Sequence, residues 1–279
     1  MNKTWFITGC STGFGRELAR YVLARGYKAA VTARNVKDVQ DIAAPYPDSS
    51  IVIRLDVTKP EEINEAVALT LQKFGQIDVL VNNAGIGYFA AIEESEEDEV
   101  RRMFEINFWG LTNVTKAILP LMRKKRSGHI LNISSIGGLV GFPALGFYNA
   151  TKFAVTGYSE ALAKETAHLG IKVTTVAPSG FRTDWAGRSA KDSATVIEDY
   201  ATTAGANHNN VRGYSGKQKG DPVRAAKAMV KVVESEHPPL MLLLGSAALR
   251  NAKRKLDALQ HDFMNWQEVT NGADYADGE

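Results

Sequence analysis

A chain of 279 residues is long enough to bury a substantial core, and an α/β domain with one continuous sheet can use that length without a second domain. Its 33 basic and 31 acidic side chains leave a net charge of +2, a balance that gives no electrostatic ground for a nucleic-acid partner. The single cysteine, Cys10, excludes an internal disulfide, reads as a small buried residue and fits a reducing, cytoplasmic setting.

The run Thr4-Trp5-Phe6-Ile7-Thr8 is strand-like, and no basic region with an apolar stretch and cleavage site precedes it, so no export signal is expected. Further apolar runs at 29–32, 51–55, 79–81, 130–133, 173–176 and 240–244 complete seven strand candidates. Helical spacing lies between them, as at Leu18, Val22 and Leu23 or at Ile63, Val67, Leu71 and Phe74. The strands are continuously apolar rather than alternating, which suits a sheet covered on both faces. The pattern predicts one α/β domain over 1–279: a doubly wound, Rossmann-type parallel seven-stranded sheet with helices on both faces.

Two stretches break the alternation. Residues 181–220 are polar and lack sustained periodicity, and are read as a substrate-loop excursion with room for short helices. Residues 245–266 regain helical spacing at Leu249, Leu256, Leu259 and Phe263, flanked by Arg250, Lys253, Arg254 and Lys255. A C-terminal helix packed on the domain with a solvated charged face is expected there, in preference to contact with a membrane surface. Residues 270–279 read as a loosely held tail, and no metal-ligand cluster is expected.

The chemistry begins at Thr8-Gly9-Cys10-Ser11-Thr12-Gly13-Phe14-Gly15, between the first strand and the first helix. Glycines there permit a tight turn and close backbone approach to a pyrophosphate, and the helix N-terminus offers unpaired N–H groups. Gly9, Ser11, Thr12, Gly13, Phe14 and Gly15 are therefore candidate cofactor contacts. At the end of the second strand, where a carboxylate would receive the ribose hydroxyls of NAD, the sequence has Arg34. A guanidinium favours a 2′-phosphate, so NADP is expected in preference to NAD.

Taken together, these and later motifs resemble the short-chain dehydrogenase/reductase family over roughly residues 4–184. Asp56-Val57 resembles its adenine-side pair, and Asn82-Asn83-Ala84-Gly85 its motif closing the fourth strand; Asp56, Val57, Asn83, Ala84 and Gly85 thereby join the candidate cofactor contacts. Asn107, Ser135, Tyr148 and Lys152 match the catalytic tetrad. Pro178-Ser179-Gly180-Phe181-Arg182-Thr183 resembles the family's proline-glycine turn, with Ser179 as a departure, which implies cofactor contacts at Pro178, Gly180, Phe181 and Thr183. The resemblance further implies that Lys152 and Tyr148 touch the nicotinamide ribose and that Asn107 holds a helix irregularity serving proton relay. Pro238-Pro239 and the C-terminal helix resemble the hydroxysteroid and retinol dehydrogenase-like branch.

Tyr148 and Lys152 stand four apart in a helical stretch, so their side chains share one face. A phenol of pKa about 10 is a poor base near neutrality, and the ammonium is expected to stabilise its phenolate and lower that value. Ser135 would hydrogen-bond a substrate carbonyl while Tyr148 gives or takes the proton. Tyr88, Phe89, Leu139, Phe142, Leu145 and Trp185, with Ser135 and Tyr148 at the reacting end, form the expected pocket for a hydrophobic ketone, aldehyde or alcohol. The competing readings are a nucleotide sensor without turnover and an epimerase or dehydratase of the same fold. The resemblance implies a homodimer or homotetramer, paired through the helices of residues 107–122 and 148–169.

Overall fold

The protein is described by a computed structural model, in which residues 2–275 are placed. In chain order the elements are β1 Thr4–Ile7, α1 Gly13–Ala24, β2 Lys28–Ala33, α2 Gln40–Ala43, β3 Ser50–Arg54, α3 Pro60–Phe74, β4 Val79–Asn82, β5 Gly87–Phe89 and α4 Glu97–Phe104. There follow α5 Leu111–Lys125, β6 Gly128–Ile133, α6 Gly146–Thr166, β7 Ile171–Pro178, β8 Ala190–Asp192, α7 Ala206–Gly213, α8 Pro222–Glu234, β9 Met241–Leu244, α9 Ser246–Asn265 and α10 Gln267–Asn271. The seven sequence-predicted strands form one parallel sheet in the order β3-β2-β1-β4-β6-β7-β9.

Both faces of that sheet are dry. Trp5 and Ile7 of β1 point into a core built with α1 and α8, through residues such as Leu18, Val22, Met229 and Val230. The intervening Phe6 points into the opposite core, formed by Ile63 and Val67 of α3, Val114 and Ile118 of α5, and Leu162 of α6. Each fully buried side chain of this size contributes about 1.5–3 kcal/mol, which explains the continuous apolar strands. Local signals frame the helices. In α3, Pro60 opens the first turn, Glu61 and Glu62 face its positive end, and Gly75 closes it at φ +78°. Asp221 caps α8 by accepting from the N–H groups of Val223 and Arg224.

The strand order reverses direction between β1 and β4, so the crevice for a ligand opens at their carboxyl ends. The 181–220 excursion returns to this crevice and is ordered. Its β8 pairs in parallel with β5, outside the main sheet, and α7 and short helical turns fill the remainder.

The C-terminal helix corrects one expectation. Only Ala248 and Ala252 of α9 are buried, whereas Leu249, Leu256 and Phe263 of the predicted packing stripe are exposed, because the helix runs on beyond the domain surface. Past it, α10 carries helical structure to Asn271, inside the stretch read as a tail; residues 276–279 of that stretch lie outside the described residues.

Candidate active site

The carboxyl end of β1 and that of β4 are stapled to each other. Thr8 Oγ1 accepts from the N–H groups of Asn83 and Ala84 at 2.9 and 3.0 Å, and Asn83 Nδ2 donates to the carbonyls of Thr8 and Gly9, both at 2.8 Å. This draws the two backbones so close that a Cβ on Gly9 would lie 2.9 Å from Ala84 Cα, and one on Gly15 would strike the Gly9 carbonyl. Gly9 and Gly13 also hold positive φ, +70° and +58°. The result is an open cradle: Thr12 precedes α1 without capping it, and no acidic side chain occupies the first turn. A phosphate-bearing dinucleotide fits this donor set.

Thr183 comes back over the cradle, with its side chain 3.3 Å from where a Gly13 Cβ would stand. The turn that brings it uses Ser179 rather than resisting it, because the Ser179 N–H and hydroxyl both donate to the Leu244 carbonyl at the end of β9. Phe181 is buried edge-on against Phe14 at 5.0 Å, so these two rings brace the turn and the loop from beneath. Pro178 ends β7, and the Gly180 carbonyl accepts from the Gly220 N–H.

At the adenine end Arg34 is exposed beyond β2 and has no carboxylate partner within 4 Å among the described residues. Its charge reaches Asp56: burial opposes ionisation there, but hydrogen bonds from the Thr58 N–H and hydroxyl and the Arg34 charge hold the carboxyl below its usual range. Val57 instead packs inward against Gly110, where a Cβ would meet it at 2.6 Å.

The four tetrad matches come together at the end of β6. Asn107 sits in a π-helical turn, Glu105–Gly110, between α4 and α5. Its amide brackets Ile86, accepting from the N–H at 2.8 Å and donating to the carbonyl at 3.0 Å, which sets Gly85 beside Lys152. Lys152 is 6 % exposed, and its ammonium donates to the Ile133 carbonyl at 2.9 Å while lying 5.7 Å from the centre of the Tyr148 ring. Ser135 Oγ accepts from the Gly137 N–H at 3.0 Å and borders Tyr148.

The pKa expectation for the phenol requires correction. Burial pushes Tyr148 up to about 12, with the Ser135 hydroxyl offsetting only part of the rise. Burial also pushes Lys152 down to about 8. Desolvation outweighs attraction because the ammonium spends its hydrogen bond on a backbone carbonyl rather than on the phenol.

Tyr88, Phe89, Leu145 and Tyr148 share one apolar cluster, with Phe142 and Trp185 packed on it; the Trp185 ring is 4.8 Å from that of Tyr148. Leu139 lies apart, in a small cluster with Ile136, Ala248 and Ala252 under α9. Tyr88 is braced at its hydroxyl, which donates to Glu96 and accepts from the Glu96 N–H.

The Asn82 motif match has a partner that no motif names, and further supporting residues stand beside it. Asn82 and Asn132 are register partners on β4 and β6, and a buried ladder runs from Thr115 through Asn82 and Asn132 to Ser159. Two asparagines interrupting apolar strands in the same sheet row were the available signal. Ser134 donates to the Lys152 carbonyl at 3.0 Å. Arg212 fastens the excursion: it donates to the carbonyls of Ala186, Gly187 and Ala190 at 2.7–2.9 Å, pairs with Asp192, and lies 4.7 Å over the Phe89 ring. Nothing local in the sequence marks that role.

A family model described as short chain dehydrogenase matches residues 3–194. The chain belongs to the short-chain dehydrogenase/reductase family. It is 38 % identical over 271 residues to oxidoreductase BOA17 of Botryotinia fuckeliana, spanning 97 % of this chain and 98 % of the relative. It is 38 % identical over 245 residues to a 3-ketodihydrosphingosine reductase of Bacteroides thetaiotaomicron, 86 % of each chain. A crystal structure of a short-chain dehydrogenase from Streptomyces avermitilis superposes with a TM-score of 0.92 at 39 % identity, covering 99 % of both chains. This family member is thus an NAD(P)-dependent oxidoreductase with a single Rossmann-type domain.

Two outcomes follow for the short-chain dehydrogenase/reductase site. Between about pH 8 and the ordinary lysine value of 10.5 the unfolded chain binds the proton that folded Lys152 has lost, so stability should rise with pH there. Above about pH 10.5 the trend should reverse, because folded Tyr148 keeps its proton up to about 12 while the unfolded phenol has lost its own. Thermal melts of Lys152→Met should lack the rise, roughly 2 kcal/mol by pH 10. Arg212→Ala strands three carbonyls, a loss of about 1–3 kcal/mol at the excursion, and should speed trypsin cleavage at Arg188 and Lys191 about tenfold.

Proposed function

We propose that this enzyme interconverts a hydrophobic ketone or aldehyde and its alcohol with NADP(H), using Tyr148 as proton donor and acceptor. The observation that carries the reading is the grouping of buried Tyr148 and Lys152 with half-buried Ser135 beside an apolar aromatic wall. The cofactor supplies or accepts the hydride when bound. Gly9, Ser11, Thr12, Gly13, Phe14 and Gly15 would hold its phosphates, Asp56, Val57 and Asn83 to Gly85 would flank the adenosine and ribose, and Pro178 to Thr183 would border the nicotinamide.

In reduction the substrate oxygen accepts hydrogen bonds from Ser135 and Tyr148. Its raised pKa keeps Tyr148 protonated at neutral pH, the form that can donate. As the phenol proton passes to the oxygen, the Lys152 ammonium stabilises the phenolate left behind. Asn107 fixes the Ile86 backbone beside that lysine and so keeps a path for re-protonation in place. In oxidation Tyr148 acts from its phenolate form, stabilised by the Lys152 ammonium, and takes the proton from the alcohol. Trp185 over the Tyr148 ring, with Phe142 and Leu145, favours an apolar substrate body. The name of the Bacteroides relative, a 3-ketodihydrosphingosine reductase, supports a ketone. The unpaired Arg34 supports the 2′-phosphate of NADP, and a reducing cytoplasm and a homodimer or homotetramer complete the proposal.

A panel of ketones and aldehydes followed by NADPH absorbance tests the activity. Tyr148→Phe should lower turnover about 10²–10⁴-fold while NADPH affinity stays near that of the parent; near-normal turnover would refute the role. Arg34→Ala should weaken NADPH binding about tenfold or more and leave NADH binding nearly unchanged, as read by titration; equal losses for both would remove the case for NADP.

A further inference from the structure

Part of the excursion reaches the substrate pocket along a stretch that no ladder holds. Residues 193–197 follow β8, belong to no helix or strand, and lead to Tyr200 and Ala204, which pack on the apolar cluster around Tyr148, Tyr88 and Phe89. Arg212 fastens the chain before this stretch, at Ala186, Gly187, Ala190 and Asp192. What fastens 193–197 itself comes from the segment between β5 and α4.

Two carboxylates there are each shared between the two segments. Glu94 Oε2 accepts from the N–H of Ala91 in its own segment at 2.8 Å, and Glu94 Oε1 accepts from the N–H of Ile197 in the excursion at 2.9 Å. Glu96 repeats the arrangement: its Oε2 accepts from the Tyr88 hydroxyl and its Oε1 from the Ala194 N–H, both at 3.0 Å. Ser193 adds a hydroxyl that donates to the Glu94 carbonyl at 2.6 Å. Both glutamates are half-buried, and neither has an ion-pair partner among the described residues.

The donors decide what these two positions tolerate. A backbone N–H can only donate, so a side chain that takes one on each terminal atom must offer two acceptors and no donor. Among side chains of this shape only an ionised carboxylate does so. Glu94 meets two backbone N–H groups, and a glutamine there would turn an NH2 group against one of them. Glu96 meets one N–H and one hydroxyl, and a hydroxyl can accept where it now donates, so an amide serves at that position.

We propose that Glu94 and Glu96 are positioning residues of the substrate pocket, clamping residues 193–197 so that Tyr200 and Ala204 stay closed over the apolar cluster. Glu94 is required as a carboxylate, Glu96 only as an acceptor. The role presupposes the carbonyl–alcohol interconversion at Tyr148. The clamp's hydrogen bonds reach neither the tetrad nor the glycine turn, so its loss acts on substrate binding and leaves proton transfer and cofactor binding intact.

The test is steady-state kinetics with a ketone or aldehyde that the parent reduces, beside NADPH titration and hydrogen exchange over 193–200. Glu94→Gln should raise KM about tenfold or more, keep kcat and NADPH affinity within about twofold of the parent, and speed exchange over 193–200 about tenfold. Glu96→Ala should raise KM by a similar factor, and Glu96→Gln should bring it back to within about twofold of the parent. Equal increases in Glu94→Gln and Glu96→Gln would trace the effect to lost charge and overturn the proposal. So would a fall in kcat at unchanged KM, weakened NADPH binding in Glu94→Gln, or a Glu94→Gln variant that behaves as the parent. A parent that reduces no carbonyl compound of the panel overturns the activity itself, and the clamp's role with it.

Discussion

An ammonium group held in the interior with a backbone carbonyl as its acceptor is the costly feature around which this protein is arranged. Lys152 donates to Ile133 and has no carboxylate within ion-pair distance among the described residues. Burial alone drives it down to about 8, so the folded chain bears a standing penalty whenever that lysine is charged. Such a position persists only where neighbouring structure over-determines it. Ser134 holds the Lys152 carbonyl, Asn107 fixes the chain at Ile86, and the β6 end supplies the acceptor.

The parallel sheet makes that determination possible. With both faces covered by helices, its strands are fixed in register, and the carboxyl ends of β1, β4 and β6 can be treated as one rigid floor. Hydrogen bonds then refine it: Thr8 and Asn83 join the glycine turn to β4, and the ladder from Thr115 to Ser159 joins β4 and β6 to the helices behind them. Asn82, Asn132, Thr115 and Ser159 of the second network are buried, so a change at one member strands the next.

The excursion over residues 181–220 adds one wall beside Tyr148. Arg212 gathers three carbonyls and a carboxylate, and this places Trp185 against Tyr148 while β8 pairs with β5. Space above the Tyr148 ring therefore depends on a segment with few backbone ladder bonds of its own, tied down by one side chain. The local stability of this wall rests on that tie.

The order of apolar runs was enough to determine the fold class, because burying both faces of a parallel strand leaves a continuous signature that needs no long-range information. The glycine turn was legible as a local property of spacing, whereas Tyr148 and Lys152 were singled out by the family resemblance, spacing adding only that they share a helix face. What required tertiary structure was every quantity that depends on the surroundings. The phenol rose instead of falling because desolvation, absent from any motif, exceeded the hydrogen bond from Ser135. Arg212, Ser134 and the partnership of Asn82 with Asn132 act on residues far away in sequence or on neighbouring strands. The stripe on α9 could be read from its period, but periodicity states only that a face is apolar. Whether that face meets its own domain depends on where the helix leaves the sheet, and the three-dimensional packing carries it past the domain edge, where Leu256 and Phe263 face outward.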